Sequence, residues 1–154
     1  PVYNVAWSHN GIYLAVDSND VDILVVNVST GQVEKKFSGL VSLNQSLSWS
    51  ADGHYLAFSS GEGMTVVDSQ SWVTRSFPLP SLDFAQDATL SPNGKRLAVG
   101  TYSSGIVIWD LDLGIIEYRL RGDNTGSRGI AWSADGTIIV AGNADGEIVL
   151  WNVP

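Results

Sequence analysis

Short apolar runs, broken by polar clusters that carry glycine, dominate the chain, and one such cluster recurs. Ser8-His9-Asn10-Gly11 returns as Ser50-Ala51-Asp52-Gly53, Ser91-Pro92-Asn93-Gly94 and Ser133-Ala134-Asp135-Gly136, the glycines lying 42, 41 and 42 residues apart. Asn-Gly and Asp-Gly are strong hairpin signals, because Gly accepts positive φ and Asx tolerates it. The leading Ser hydroxyl can bond locally to the turn backbone. Each copy is therefore predicted to reverse one strand into the next. The flanks repeat as well. Before each turn a short apolar segment ends in Ala6-Trp7, Ser48-Trp49, Thr89-Leu90 or Ala131-Trp132. After it come residues 12–16, 55–58, 96–99 and 138–141, continuous apolar runs of strand length, as expected of strands buried on both faces. A third strand is predicted over 23–28, 64–69, 106–111 and 148–153, each with an Asx at the same place: Asn27, Asp68, Asp110 and Asn152. A fourth follows in the first three units only, over 32–37, 72–77 and 115–120. It mixes charge with apolar residues, which suits an outer strand with one wet face.

Four short antiparallel strands per unit of about 42 residues, with no amphipathic helix and no linker, predict an all-β fold of propeller blades. The blades span about 2–39, 43–79, 84–122 and 127–154, the last lacking its outer strand.

Bulk properties narrow the function. Hydrophobic residues make up 44% of the 154 and charged residues 16%, which excludes disorder and fits one buried fold. The net charge of −8 would be repelled by phosphate backbones, so no nucleic acid partner is expected. With no Cys there is no disulfide framework or thiolate chemistry. That fits a reducing compartment, and a cytoplasmic location is the expectation. No apolar run approaches the roughly 18 residues of a membrane span, so no membrane partner is expected.

The residues resemble the WD-repeat (WD40-type) β-propeller family. The segments Gly105-Ile106-Val107-Ile108-Trp109-Asp110-Leu111 and Asp145-Gly146-Glu147-Ile148-Val149-Leu150-Trp151-Asn152 are similar to the Trp-Asp ending of its repeats, and the Ser-x-Asx-Gly turns to its first blade turn. The resemblance spans essentially the whole chain and implies about half of a propeller. The family's Gly-His pair before the first blade strand has no counterpart: Ser38-Gly39-Leu40 and Arg121-Gly122-Asp123 stand there. Its tight-turn Asp survives as Asp20 and Asp145, and its Trp as Trp109 and Trp151, with Val26 and Val67 elsewhere. The family's buried polar network is thus absent or partial, and apolar sheet-on-sheet packing is expected to hold the blades.

A last unit without its outer strand leaves three readings: a piece of a longer propeller, one half of a ring closed by a second copy, or a small ring closed alone. In each, the strand carrying Ile148, Val149, Leu150 and Trp151 is an open edge that invites pairing. The candidate partners are accordingly a protein of unspecified identity, a second copy, or the remaining blades of a longer chain.

No pattern of chemistry emerges. There is no Gly-x-Ser-x-Gly elbow and no phosphate-binding Gly-x-x-x-x-Gly-Lys loop. His9 and His54 fall in matching turns, where exposed turn residues outweigh a metal site. The acidic run 17–22 lacks the register of a calcium loop and reads as the turn between second and third strands. Trp7, Trp49, Trp132, Trp109 and Trp151 are locked to the repeat and read as packing. Trp72, equivalent to Gln32 and Ile115, sits at the start of an outer strand and is a candidate contact residue. No catalytic residue, cofactor or metal is assigned.

A rigid repeat frame with variable loops predicts a non-catalytic protein-interaction scaffold. The loops joining fourth to first strands and second to third strands share one rim and diverge between repeats. Leu40, Leu82, Asp83, Tyr102, Asp123 and Arg128 are the candidate partner-binding residues there. Two alternatives stand beside this: a gating or substrate-docking propeller of a multidomain enzyme, implied by likeness to peptidase-associated repeats, and a self-assembling half-propeller that closes by homodimerisation.

Overall fold

The computed structural model describes residues 2–18, 22–38, 46–61, 63–80, 83–121 and 126–154. Four sheets follow one another along the chain, each antiparallel and each ordered as its strands occur in sequence. The first holds β1 (Val2–Trp7), β2 (Tyr13–Ser18), β3 (Asp22–Asn27) and β4 (Gln32–Phe37). The second holds β5 (Leu47–Trp49), β6 (Tyr55–Ser60), β7 (Gly63–Asp68) and β8 (Thr74–Pro78). The third holds β9 (Ala85–Leu90), β10 (Arg96–Thr101), β11 (Ile106–Asp110) and β12 (Ile115–Leu120). The fourth has three strands, β13 (Ser127–Trp132), β14 (Ile138–Asn143) and β15 (Ile148–Asn152), with β15 at its edge.

The hairpin between first and second strands forms as its residues dictate. In the first sheet Ser8 Oγ donates to Asn10 Oδ1 (2.8 Å) and accepts from Tyr13 N (2.8 Å), while Asn10 Oδ1 accepts from Ile12 N (3.0 Å). Gly11 closes the turn at φ 70°, where a side chain would be strained. Ser50–Asp52, Ser91–Asn93 and Ser133–Asp135 repeat the bonds at 2.6–2.7 Å.

A second recurring turn joins third to fourth strands. Asn27 O, Asp68 O and Asp110 O accept from the N–H groups of Gly31, Trp72 and Gly114 at 2.8, 2.8 and 2.9 Å, and all three donors have positive φ. This corrects the sequence reading of Trp72. Its equivalents are Gly31 and Gly114, not Gln32 and Ile115, and it lies in the turn before β8 rather than at the start of an outer strand. Trp72 holds φ 58° as the sole non-Gly residue there among the described residues. Its half-buried ring meets Tyr13 of the first sheet edge-on, centroids 5.7 Å apart.

The sheets stack face to face in chain order, as successive blades of a partial propeller do. Contacts between neighbours run through the inner strands, β1 with β5, β5 with β9 and β9 with β13. Three apolar clusters fill the gaps. Ala15, Ile23 and Val25 meet Leu47, Leu56, Phe58 and Val67 between the first and second sheets. Ala57, Met64, Val66 and Phe77 meet Leu90, Leu97, Val99 and Trp109 between the second and third. Ala98, Ile106 and Ile108 meet Ile130, Ile139 and Ala141 between the third and fourth. Central strands read as almost fully buried, outer strands as wet, in line with their composition.

Polar straps supplement this packing. Trp49 Nε1 donates to Ala6 O of the preceding sheet (3.2 Å), and Trp132 Nε1 to Thr89 O (3.4 Å). Asp87, beside a bulge at the start of β9, links three sheets. Its Oδ1 accepts from Ser46 Oγ (3.2 Å) and its Oδ2 from Ile130 N (2.9 Å), while Ala88 N donates to Ser46 Oγ (2.7 Å).

Candidate interaction rim

Strand direction places the loops after second and fourth strands on one rim and the Ser-x-Asx-Gly turns on the other. On the first rim the structure brings two of the six candidate residues together. Asp83 precedes β9, and Tyr102 follows β10, so the antiparallel pairing of β9 with β10 sets their loops side by side. Tyr102 N donates to Phe84 O (3.0 Å), which extends the ladder one step beyond the sheet. Asp83 Oδ1 caps both loops, accepting from Phe84 N (3.0 Å) and Ser103 N (3.0 Å). Thr101 Oγ1 in turn donates to Gly105 O (3.0 Å) and accepts from Ser104 N (3.0 Å), which fixes the tight loop behind Tyr102.

The side chains divide sharply. Asp83 is buried, whereas Phe84 is 59% and Tyr102 61% exposed. Burial opposes the Asp83 charge, but hydrogen bonds from Ser104, Ser103, Thr101 and Phe84 outweigh it and hold the carboxyl below its ordinary range. The amides of Phe84 and Ser103 meet Oδ1 at ordinary hydrogen-bond distance, while Oδ2 is buried with no such partner among the described residues. Asp83 is thus a buried anionic bracket, and the two loops it ties together carry the exposed rings of Phe84 and Tyr102. Phe84 was not among the sequence candidates. An aromatic at a strand start reads as core, and only its exposure marks it out.

Leu40, Leu82 and Asp123 lie outside the described residues. Arg128 lies in β13, paired with Gly142. The proposed edge residues divide by face: Ile148 and Leu150 of β15 are exposed, Val149 and Trp151 half-buried. His9 and His54 are exposed turn residues, His54 Nδ1 lying 3.3 Å from Gln70 Nε2. Asp22, from the acidic run, is salt-bridged to Lys36 (2.6 Å). Among the described residues no three His, Cys, Asp or Glu side chains converge, and no helix is long and apolar enough to cross a membrane.

Residues 115–152 match the WD domain, G-beta repeat family. Over 153 residues the chain is 26% identical to WD repeat-containing protein SL1-17 of Schistosoma mansoni, covering 99% of this chain and 50% of that protein. It is 28% identical over 160 residues to apoptotic protease-activating factor 1 of Homo sapiens, covering 99% of this chain and 12% of that one. The chain therefore spans at most about half the length of these relatives. Among solved structures it superposes on a chain of Kuenenia stuttgartiensis hydrazine synthase with TM-score 0.80 at 18% identity, covering 96% of this chain and 45% of that one, a likeness of fold alone. The repeated four-stranded sheets and their turn chemistry carry along the chain the pattern of the WD repeat that residues 115–152 match.

Proposed function

We propose that this chain is a non-catalytic protein-interaction module that holds a partner on the rim carrying Phe84 and Tyr102. WD repeats are commonly protein-interaction scaffolds, which supports the class of function. The observation that carries the site is the pairing of two exposed rings on loops tied down by Asp83. Rigid aromatics at a solvent-facing loop supply contact area at little entropic cost, and such residues are enriched at interface hot spots. Rim loops held by a stiff frame are where binding concentrates.

The test is affinity capture followed by titration of the recovered protein against variants. The double variant Phe84→Ala/Tyr102→Ala is expected to weaken binding by at least about 30-fold, as hot-spot losses of about 2 kcal/mol imply. Leu113→Ala, in a turn on the opposite rim, is expected to leave binding unchanged. Equal binding by all three proteins would reject the site.

A further inference from the structure

The gap between the first and second sheets and the gap between the second and third use the same positions but fill them differently. Tyr13 of the first sheet is covered by two rings of the second. Trp49 stacks on it with centroids 6.2 Å apart, and Trp72 meets it edge-on at 5.7 Å. Tyr55 holds the position of Tyr13 in the second sheet, since each pairs with the last residue of its third strand. The residues placed to cover Tyr55 are smaller. Leu90 stands where Trp49 does, and Gly114 where Trp72 does. What remains is a cleft of about 280 Å³ walled by Tyr55, Val66, Val73, Arg75 and Leu111. Both sheets that form it have a neighbour on either side.

One cation faces this cleft. Arg75 Nη1 donates across the gap to Leu111 O, and its guanidinium lies 5.3 Å over the Phe77 ring, which together hold it in place. Its Nη2 is 3.1 Å from where a Cβ on Gly114 would stand. Arg75 forms no ion pair among the described residues. Asp68, also on the cleft, belongs to the turn it caps, its Oδ1 accepting from Gln70 N (2.9 Å), Ser71 N (2.8 Å) and Ser71 Oγ (2.9 Å). The third sheet shows how the chain answers such a cation elsewhere. There Arg96 and Tyr118 stand where Tyr55 and Arg75 do, and Glu117 accepts from Arg96 at 2.7 and 2.8 Å. Glu117 is the extra residue of a bulge in β12, whereas β8 pairs with β7 in unbroken register and supplies no such carboxylate.

We propose that this cleft binds an aromatic side chain of a partner polypeptide that carries a carboxylate beside it. The ring takes against Tyr55 the place that Trp72 takes against Tyr13, an edge-on contact of the kind aromatic pairs prefer. The carboxylate meets the guanidinium donors that Leu111 leaves, in a charge-assisted bond. The chain's own example thus sets the shape of the ligand, and the unanswered cation sets its charge. A volume of about 280 Å³ suits one such side chain and falls below the roughly 300–1,000 Å³ of sites that hold whole small molecules. The cleft opens beside the turn carrying Ser71, on the rim opposite Phe84 and Tyr102. Its ligand is therefore a separate one, and the inference is independent of the rim.

A capped tryptophan–glutamate dipeptide, titrated into the isotope-labelled 154-residue chain and followed by amide chemical shifts, tests it. Saturable shifts are expected at Ser71, Val73 and Arg75. The matching tryptophan–glutamine dipeptide is expected to bind about tenfold more weakly, as loss of a charge-assisted bond implies. Gly114→Trp puts into this gap the ring that Trp72 puts into the other, on backbone of the same left-handed kind (φ 70° against 58°), and is expected to abolish the shifts. Arg75→Gln, at an exposed position, is expected to keep the ring bound and to lose the preference for glutamate. Phe84→Ala/Tyr102→Ala is expected to bind the dipeptide as the wild type does, which separates the two sites. Absence of saturable shifts would overturn the proposal. So would equal affinity for the two dipeptides, a folded Gly114→Trp protein that still binds, an Arg75→Gln protein that keeps the preference, or loss of binding in the double variant. Indolepropionate binding as tightly as the dipeptide would overturn the polypeptide occupant and give the cleft to a free aromatic acid.

Discussion

Trp109 shows how a repeat position keeps its packing after losing its polar partner. Its ring is 7% exposed and meets Phe77 edge-on, centroids 5.6 Å apart. Its indole Nε1 is buried with no partner among the described residues. Val67, at the same position one blade earlier, carries no donor at all and is fully buried. The indole N–H is therefore a cost rather than an anchor, since a buried donor without a partner forfeits its hydration. Trp109→Phe should keep the contact with Phe77, remove the orphan donor and change stability by less than about 1.5 kcal/mol. Trp109→Ala should cost about 3–5 kcal/mol through the cavity it leaves. Urea unfolding of both variants checks this. A Phe variant as unstable as the Ala variant would mean that the N–H makes a bond the packing depends on.

The turns are the elements most legible in the sequence, because their chemistry is local. Ser-x-Asx-Gly specifies its bonds within six residues, and all four copies make them. Asn10 and Asn93 play the part that Asp52 and Asp135 play elsewhere, so charge is not required for the geometry. It does add pH dependence. Hydrogen bonds from the Ser133 hydroxyl and the Thr137 amide and hydroxyl lower the Asp135 carboxyl to about 2. A depressed pKa contributes stability that is full above the ordinary carboxyl range and lost as pH falls through the folded value. Asp135→Asn should thus lack that contribution near neutrality and lose less thermal stability than the wild type between pH of about 4 and about 2. Melting curves at several pH values would show it; parallel losses in both proteins would contradict it. Where an element depends on the whole stack, sequence reading falters. The αL position before β8 is filled by Trp72 instead of Gly, which hid the turn boundary and shifted the alignment by one. Trp72 tolerates that backbone where its ring packs on Tyr13 of the neighbouring sheet, a contact that no local pattern announces.

At the scale of the molecule, identical residue types acquire opposite roles from their neighbours. Ile106 and Ile148 share a repeat position, a strand type and a side chain. Ile106 is core because the fourth sheet covers it, whereas Ile148 lies in the last described sheet and is 72% exposed there. The same dependence explains the candidate rim. Asp83 and Tyr102 were legible as loop residues that differ between repeats. That Asp83 is a buried bracket, and that Phe84 is the ring it presents, follows only from the pairing of β9 with β10. The central functional claim is that a partner seats on these rings, and hydrogen exchange reports on it directly. The amides of Phe84, Ser103 and Ser104 are bonded within the two loops that carry the rings, whereas those of Ser69, Gln70 and Ser71 lie in a turn on the far rim. Amide exchange measured with and without a captured partner should slow at the first set and stay unchanged at the second. Protection confined to the far rim, with residues 83–84 and 102–104 unaffected, would contradict the account.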